Sequence, residues 1–549
     1  MKLLDLLRKE STVSLRRFLT LAAFAGISSA LVLALINASA GTASPASTGG
    51  QSAATPPANG RNALLFLVIL AIYAVSQWRL YSTATAEIEK ILDRVRVRIA
   101  DKVRRSDLRP VERLGQTVIF AAVTKETQAI SQAATLIIMS AQAVVLIVFT
   151  ALYVAYLSMV AFVLTTAVAV TTSVLHVRRA RQMSAAMHDL SRQENELFES
   201  LRNFLDGFKE VRMNRARSDD LFTHFTAISR AATARKCKMH QEVAQTFIFA
   251  QISFYALLGV VVFLVPRLTQ THAGPVVNIA AAVLFLMGPM TTLVGTVPHL
   301  AVADSAVDNI AALEAALDQA SSGAFEHQAP APAFTEISFE DVVFHYEATA
   351  HGDAFSVGPI NLTLKAGETV FIAGGNGSGK STFLKLLTAL YHPHQGVIRV
   401  DGKVIRPESA EAYRSLFSTV FTDYHLFDRL YGLFETEQQE IDHTIAYLEL
   451  TGKTRVSGGR FETLDLSGGQ RKRLALLVSM IEDRPICVFD EMAADQDPPF
   501  RRKFYEEILP ALRRDGRTII AVTHDDKYFK TADRLVKMDE GRFVSDAMA

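Results

Sequence analysis

The chain has 549 residues, too many for one domain, and 49% of them are hydrophobic, a high share for a soluble protein. The formal net charge of +1 is uninformative as an average, but the charges are distributed unevenly along the chain. The two cysteines, Cys237 and Cys487, are far apart and in no metal-ligand spacing, so the sequence implies neither a disulfide framework nor a zinc site.

Six apolar blocks occupy the first part of the chain. Each approaches the length of about 20 residues that crosses a hydrocarbon core of ~30 Å. They are Phe18–Ile36, Leu64–Trp78, two blocks within the uncharged stretch Thr127–Leu175 that meet at Tyr156–Ser158, Phe247–Val265 and Val276–Val302. A buried core helix would explain any one block, but six together predict an all-α transmembrane domain of six helices in a lipid bilayer.

Basic residues flank these blocks on one side. They precede the first block, follow the second and follow the fourth, whereas residues 37–60 and the turn near Ser158 carry no charge. This pattern predicts that both termini are cytoplasmic. The alternative is a secretory signal in residues 1–40, since Asn37–Ala40 resembles a cleavage site, but the apolar stretch is long for that.

A linker rich in Ala, Ser, Gly and Pro, 321–333, separates the predicted membrane domain, 1–320, from a second domain, 334–549.

The first functional motif of the second domain is a phosphate-binding loop. Val370–Ala373 is typical of a short buried strand, 374–381 fits G-x-x-x-x-G-K-[ST], and an apolar-periodic helix follows. Glycines let consecutive N–H groups point at phosphate oxygens, and the helix N-terminus adds favourable partial charge. We expect Lys380 to reach the β- and γ-phosphates of a nucleotide and the Ser381 hydroxyl to bind Mg²⁺.

Two further motifs follow. Ser467-Gly468-Gly469-Gln470 begins a helix with a serine cap and two glycines, which favours a second anion-binding terminus. One pocket needs only one phosphate loop, so this surface is expected to face a nucleotide held by another subunit. Asp490 and Glu491 end a continuous apolar strand, where ligands bind in α/β folds. We assign Asp490 to Mg²⁺ and Glu491 to the attacking water.

Residues from about Phe334 to Phe543 resemble an ATP-binding cassette, an α/β P-loop domain, and LSGGQ at 466–470 is the most family-specific motif. In that family two cassettes pair head-to-tail with ATP between the phosphate loop of one and the LSGGQ of the other. The resemblance implies that Tyr346 stacks on adenine, that His524 contacts the γ-phosphate and that Asp497 touches the opposite cassette. The implied cofactors are ATP and Mg²⁺.

One position departs from the family pattern. Thr422 follows the strand that ends at Phe421, where family members usually carry glutamine. Threonine is shorter than glutamine and reaches less far toward Mg²⁺. The metal contact at this position would then come from the Thr422 hydroxyl, or from Asp423 through a water molecule. The stretch from Asp423 to Leu466 is also shorter than is common in the family.

The expected site therefore has three parts. The catalytic residues are Glu491, His524 and Lys380. The metal residues are Ser381, Asp490 and Thr422. The nucleotide contacts are Tyr346, Gly374, Gly375, Asn376, Gly377, Ser378, Gly379, Lys380, Ser381, Thr382, Ser467, Gly468, Gly469 and Gln470.

The order of a membrane part followed by a cassette resembles exporters, in which the inner loops turn through short transverse helices that rest on the cassettes. The segments Arg113–Phe120 and Gly207–Asn214 would suit those turns; ordinary solvated helices are the alternative. One membrane half with one cassette is half a transporter, so a homodimer is the default.

Segments of the cassette, among them Val420–Asp423 and Thr523–Phe529, resemble the bacterial cyclic-peptide exporter group. That group includes exporters of lasso peptides, lipopeptides and peptide-siderophore precursors. The resemblance implies a peptide-like cargo and a place in the bacterial inner membrane, with no nucleic-acid partner; no motif identifies a periplasmic partner. A lipid or glycolipid flippase, a multidrug exporter and an ATP-gated channel or regulator are the competing hypotheses.

Overall fold

The computed structural model describes residues 2–11, 15–41, 60–269, 273–320, 334–346 and 355–548. The chain divides into two compact units, one of Met1–Asp101 with Gly115–Ala316 and one of Lys102–Leu114 with Leu317–Ala549. The predicted linker lies outside the described residues. A short segment that the sequence placed in the membrane domain, Lys102–Leu114, thus belongs to the same unit as the cassette.

The part of the chain before the linker is helical. Its helices are α1 Lys2–Glu10, α2 Leu15–Gly41, α3 Gly60–Arg105, α4 Leu108–Leu114, α5 Gln116–Ala121, α6 Thr127–Leu157, α7 Met159–Asp206, α8 Phe208–Met213, α9 Arg215–Gly259, α10 Val265–Thr269, α11 Ala273–Phe285 and α12 Met287–Gln319. Two π-helical turns, Ala122–Glu126 and Val260–Leu264, connect α5 to α6 and α9 to α10.

Among the described residues, five helical stretches are long and apolar enough to cross a membrane; three of them run through more than one of these elements, and the five contain or overlap the predicted blocks except the fourth. That block lies in α7, where the described apolar stretch is the shorter Met159–Thr172. The predicted turn is confirmed at Ser158, whose hydroxyl accepts a hydrogen bond from the Ala161 N–H at 3.3 Å and so begins α7. Large apolar side chains such as Trp78 are exposed on α3. Exposure of this kind suits contact with lipid rather than water.

A short helix lies where one inner-loop turn was predicted and is displaced from the other; that the second helix rests on a cassette stays a prediction. The second coincides with α8, which is bounded by Gly207 and Asn214. The first does not form one helix over Arg113–Phe120, because Gly115, at φ 75°, separates α4 from α5. Only glycine adopts this left-handed region without a Cβ penalty. The short helix of the first loop is therefore α4, which begins at Leu108.

The cassette contains two main sheets. The strands are β1 Glu336–His345, β2 Ser356–Lys365, β3 Thr369–Ala373, β4 Gln395–Val400, β5 Lys403–Val404, β6 Phe417–Val420, β7 Val456–Ser457, β8 Arg460–Phe461, β9 Ile486–Asp490, β10 Thr518–Val522, β11 Arg534–Asp539 and β12 Arg542–Met548. One sheet has the order β12-β11-β3-β10-β9-β6 and is parallel from β11 to β6; an antiparallel sheet has the order β2-β1-β4-β5.

Helices cover the six-stranded sheet, and the predicted α/β class is confirmed. They are α13 Lys380–Leu387, α14 Ala410–Arg414, α15 Gln438–Tyr447, α16 Gly468–Ile481, α17 Pro498–Lys503 and α18 Leu509–Arg514. Side chains alternate along β3: Phe371 enters one apolar cluster with Phe489 and Phe504, while Val370 and Ile372 enter another. The sheet is thus buried on both faces, so polar residues at its carboxyl edge are left as the candidates for chemistry.

Candidate functional site

The phosphate loop joins the buried strand β3 to α13. Its first glycine, Gly374, lies so close to β11 that an added Cβ would stand 2.2 Å from the main-chain oxygen of Met538. Its last, Gly379, precedes α13 at φ 102°. The turn between them, Gly375-Asn376-Gly377, is exposed. Strand, loop and helix therefore have the arrangement that the motif requires.

Two polar groups of the loop have features that suit a bound phosphate. The ammonium of Lys380 is buried and donates to the main-chain oxygens of Gly374 at 2.9 Å and Gly375 at 2.8 Å. Burial lowers the pKa of Lys380, although Glu491 and Asp490 oppose the shift. The Ser378 hydroxyl oxygen is buried and has no hydrogen-bond partner among the described residues. Such an orphan normally has a ligand or water as its partner, so the loop fits a triphosphate.

Asp490 ends β9 and meets the start of α13. Its carboxylate is 2% exposed and accepts a hydrogen bond from the exposed Ser381 hydroxyl at 3.1 Å. Burial raises the pKa of Asp490, and hydrogen bonds from Thr422 and Ser381 oppose the rise. Burying a carboxylate costs free energy, and the neutral hydroxyl beside Asp490 adds no positive charge to that of the nearby Lys380. Mg²⁺ is commonly held by a carboxylate together with substrate phosphates, so this pair fits Mg²⁺.

Thr422 lies beside Asp490, as the sequence suggested. Its hydroxyl donates to the main-chain oxygen of Asp490 at a long 3.3 Å. Its role as a metal ligand stays a prediction.

Glu491 and His524 follow two neighbouring parallel strands, β9 and β10. The Glu491 Oε1 and His524 Nε2 atoms are 3.1 Å apart, and both side chains are partly exposed. Glu491 has φ 51°, in the left-handed region that residues other than glycine rarely adopt. Its N–H donates to the Val522 main-chain oxygen at 3.1 Å, which ties this strained residue to β10. Strain held in place by the surrounding structure is a feature of functional sites.

One residue that secures Glu491 was missed by the sequence analysis. Lys472, on α16, is buried and donates to the Glu491 main-chain oxygen at 2.7 Å and to the Asp495 carboxylate at 3.0 Å. The sequence feature that could have indicated Lys472 is the basic run 471–473 in an otherwise apolar helix. Arg473 is likewise buried, and it bonds Gln496 and Asp497.

The LSGGQ segment forms the start of α16. Ser467 accepts a hydrogen bond from the Gln470 N–H at 3.4 Å, and the Gln470 side chain accepts one from the Ser467 N–H at 3.2 Å. This reciprocal pair caps the helix. Gly469 contacts the loop that follows β9. Its main-chain oxygen accepts a hydrogen bond from the Gln496 side chain at 3.0 Å. Ser467 and Gly468 are exposed, so this helix start is open to a ligand or to another molecule.

Tyr346 follows β1 and reaches the phosphate loop. Its hydroxyl lies 3.0 Å from the hydroxyl of Thr382, the residue after Ser381. Its ring is 5.2 Å from that of Phe344 and 6.3 Å from that of Tyr391, centroid to centroid. Tyr346, the phosphate loop and the Asp490 pair are thus linked by direct contacts.

Three comparisons with known proteins agree on a family. A family model described as "ABC transporter" matches residues 357–494. The ATP-binding protein SyrD of Pseudomonas syringae pv. syringae is 33% identical over 478 residues, which cover 83% of each chain. A solved structure of a bacterial Atm1-family ABC exporter with ATP bound matches with a TM-score of 0.77 at 18% identity, over 97% of this chain and 96% of that chain. At that identity the structural match shows the fold.

Two other relatives match shorter regions. An ATP-dependent lipid A-core flippase of Alkalilimnicola ehrlichii is 29% identical over 318 residues, 54% of this chain and 51% of its own. The probable syringafactin export ATP-binding/permease protein SyfD of Pseudomonas syringae pv. syringae B728a is 32% identical over 210 residues, 35% of this chain and 31% of its own. On the site and these matches together, the chain belongs to the ABC transporter family, as an exporter that couples ATP hydrolysis to transport.

Proposed function

We propose that this chain forms a homodimer in the bacterial inner membrane and exports a peptide-like cargo with exposed apolar groups. The observation that carries the cargo class is a cavity of about 390 Å³ within the helical unit. This volume falls in the range of sites for small ligands, or for part of a larger one.

The cavity is lined by α6, α7, α9, α11 and α12, and none of its described lining residues is charged. Several lining hydroxyls are already used: those of Thr165, Ser253 and Thr291 donate to main-chain oxygens of their own helices. A charged or heavily hydroxylated cargo would lose its hydration here and find few compensating partners, because Gln251, Thr166 and Thr172 are the other polar side chains of a mostly apolar lining. Apolar side chains or an acyl segment would instead gain roughly 25 cal/mol for each Å² removed from water.

The relatives support export of a secreted product and also a second candidate. One relative is named for syringafactin export, which agrees with the likeness of the cassette to cyclic-peptide exporters. Another is named as a lipid A-core flippase, and an apolar cavity also suits a lipid chain. Lipid flipping is therefore the competing function.

We assign the chemistry of hydrolysis as follows. Lys380 and the loop would hold the phosphates, Ser381 and Asp490 would hold Mg²⁺, and His524 would contact the γ-phosphate. When bound, Mg²⁺ would supply positive charge against the charge that develops on the phosphate oxygens. Glu491 accepts a proton from the attacking water.

The exposed Ser467 surface is assigned to the nucleotide of a second copy. The contacts of the described cassette bring the phosphate loop to Asp490, while the helix that Ser467 begins is capped within its own first turn and remains open. Two copies arranged head-to-tail would give each nucleotide both surfaces, which is the basis for the proposed homodimer.

Filling the cavity tests the cargo class. We expect Ala169→Phe to abolish the stimulation of ATP hydrolysis by an acylated cyclic peptide in proteoliposomes, because the added ring occupies the apolar space. Basal hydrolysis should remain, since Ala169 lies in the membrane unit. The control is Val163→Phe, on the same helix but exposed and absent from the cavity lining.

The two candidate cargoes give different results in the same assay. Stimulation by the peptide, lost in Ala169→Phe and kept in Val163→Phe, supports peptide export. Stimulation by a lipid A-core extract with no response to the peptide would reject peptide export in favour of lipid flipping. Equal responses to many unrelated drugs would instead indicate a multidrug exporter.

A further inference from the structure

The short helix α4 belongs to the same compact unit as the cassette. Leu108, at its start, packs against the apolar cluster that contains Val370 and Ile372. In sequence, α4 stands between α3 and α5, so it is the cassette-bound part of the first inner loop.

Glu112 joins α4 to the helix of the phosphate loop. Its carboxylate accepts a hydrogen bond from the Tyr391 hydroxyl at 2.6 Å and one from the Lys385 ammonium at 3.1 Å. Lys385 lies on α13, which begins with Lys380. Burial raises the pKa of Tyr391, and the hydrogen bond to Glu112 adds to the rise, so the phenol stays a donor.

Arg109 lies one turn earlier on α4 and faces an aromatic cluster of Phe344, Tyr346 and Tyr391. Its guanidinium carbon is 4.8 Å from the centroid of Phe344, 5.0 Å from that of Tyr346 and 5.8 Å from that of Tyr391. Such distances are within the range of cation–π attraction. The Arg109 Nε atom is buried and has no hydrogen-bond partner among the described residues, so the rings are its evident contacts.

Tyr346 is the member of this cluster that we assign to the adenine base, and its hydroxyl also contacts Thr382 at 3.0 Å. We infer that Arg109 is a positioning residue for ATP, which holds the Tyr346 ring in the orientation that stacks on adenine. The inference rests on the proposed role of Tyr346. If Arg109 has this role, the contact between Tyr346 and the adenine base depends on the position of α4, whereas the contacts with the phosphates do not.

The competing geometry makes the opposite prediction. A guanidinium over the Tyr346 ring occupies one of its two faces. If adenine used that same face, Arg109 would have to leave before ATP bound, and its removal would strengthen binding. If Arg109 supports the Tyr346 ring, its removal weakens ATP binding. If Arg109 competes with adenine for the ring, its removal strengthens ATP binding.

Equilibrium binding to the full-length protein in nanodiscs separates these cases. The probes are a non-hydrolysable ATP analogue and inorganic tripolyphosphate, which lacks the base. We expect Arg109→Ala to weaken binding of the analogue roughly threefold to tenfold, because the Tyr346 ring loses its preorganised orientation and the strength of one cation–π contact limits that loss, and to leave tripolyphosphate binding unchanged. Arg113→Ala removes another arginine from α4 and is the matched control, with no expected effect on either probe.

Two further variants make the test specific. Arg109→Lys keeps the charge but loses the planar group, so it should retain part of the affinity, and it serves as the test if the alanine variant fails to fold. Tyr346→Ala should weaken binding of the analogue by itself, and adding Arg109→Ala to it should cause no further loss, because both changes remove the same contact.

The remaining outcomes overturn the inference. Unchanged or tighter binding of the analogue in Arg109→Ala would do so, as would an equal loss for tripolyphosphate, which would indicate general damage to the loop. If Tyr346→Ala had no effect, the proposed adenine contact would fail together with the inference. An error in the proposed cargo would leave all of these binding results intact.

Discussion

Replacing Glu491 by glutamine is expected to lower ATP hydrolysis by about two to four orders of magnitude, the usual contribution of a general base. The amide has the shape of the carboxylate but cannot accept the proton of the attacking water. ATP binding should persist, because Lys380 and Ser381 are unchanged. Phosphate release by the purified protein measures the first effect, and ATP-dependent uptake of the acylated peptide into inside-out vesicles measures its consequence for transport.

The control for this variant is Glu482→Gln, the same exchange at the carboxyl end of α16. Glu482 is also partly buried, which raises its pKa, but it is not part of the proposed site. Hydrolysis near the normal rate is expected for it. Peptide uptake that survives Glu491→Gln would reject the proposed mechanism of coupling.

The second large effect is expected for Gly374→Ala. The new Cβ would stand 2.2 Å from the Met538 main-chain oxygen and 2.8 Å from the Ser378 hydroxyl, so the loop or β11 must move. Overpacking of this kind costs about 1–3 kcal/mol of stability. Because a shift of the loop also misplaces its N–H groups, we expect ATP to bind at least about tenfold more weakly, a loss of ~1.4 kcal/mol.

The neighbouring glycine is a matched control. Gly375 has ordinary φ, and a Cβ there would meet nothing within 4 Å. Gly375→Ala should therefore keep both stability and ATP affinity. The measurement is the rise in Tm on adding ATP, which should be large in Gly375→Ala and small in Gly374→Ala. Equal rises in both variants would show that the close approach of Gly374 to β11 does not control nucleotide binding.

Local pattern was enough to predict the cassette core. The apolar runs at Val370–Ala373 and Ile486–Phe489 became buried parallel strands, because continuous apolar sequence suits strands covered on both faces. The phosphate-loop motif also predicted the turn between β3 and α13, because its glycines can adopt backbone angles that other residues rarely adopt. The turn near Ser158 was predicted from the length of the uncharged stretch, and the structure adds that the Ser158 side chain caps α7.

Contacts between distant parts of the chain could not be predicted in this way. Lys472 and Arg109 resemble ordinary surface charges in sequence, and only the fold brings them to Glu491 and Tyr346. The first inner-loop turn was placed too late because Gly115 interrupts the helix instead of lying inside it. The cavity in the helical unit is built from five helices that no periodic pattern pairs with one another.

The central claim is that each nucleotide is held by the phosphate loop of one copy and the Ser467 surface of another. Purified heterodimers carrying two different tags test it with the substitutions Lys380→Ala and Ser467→Arg, in a Glu491→Gln background that retains bound ATP. With the two substitutions on different copies, one complete nucleotide site remains, and we predict retention of ATP. With both on the same copy, each site is damaged, and we predict none. Retention only when both substitutions share a copy would contradict the account, since each chain would then form its site alone.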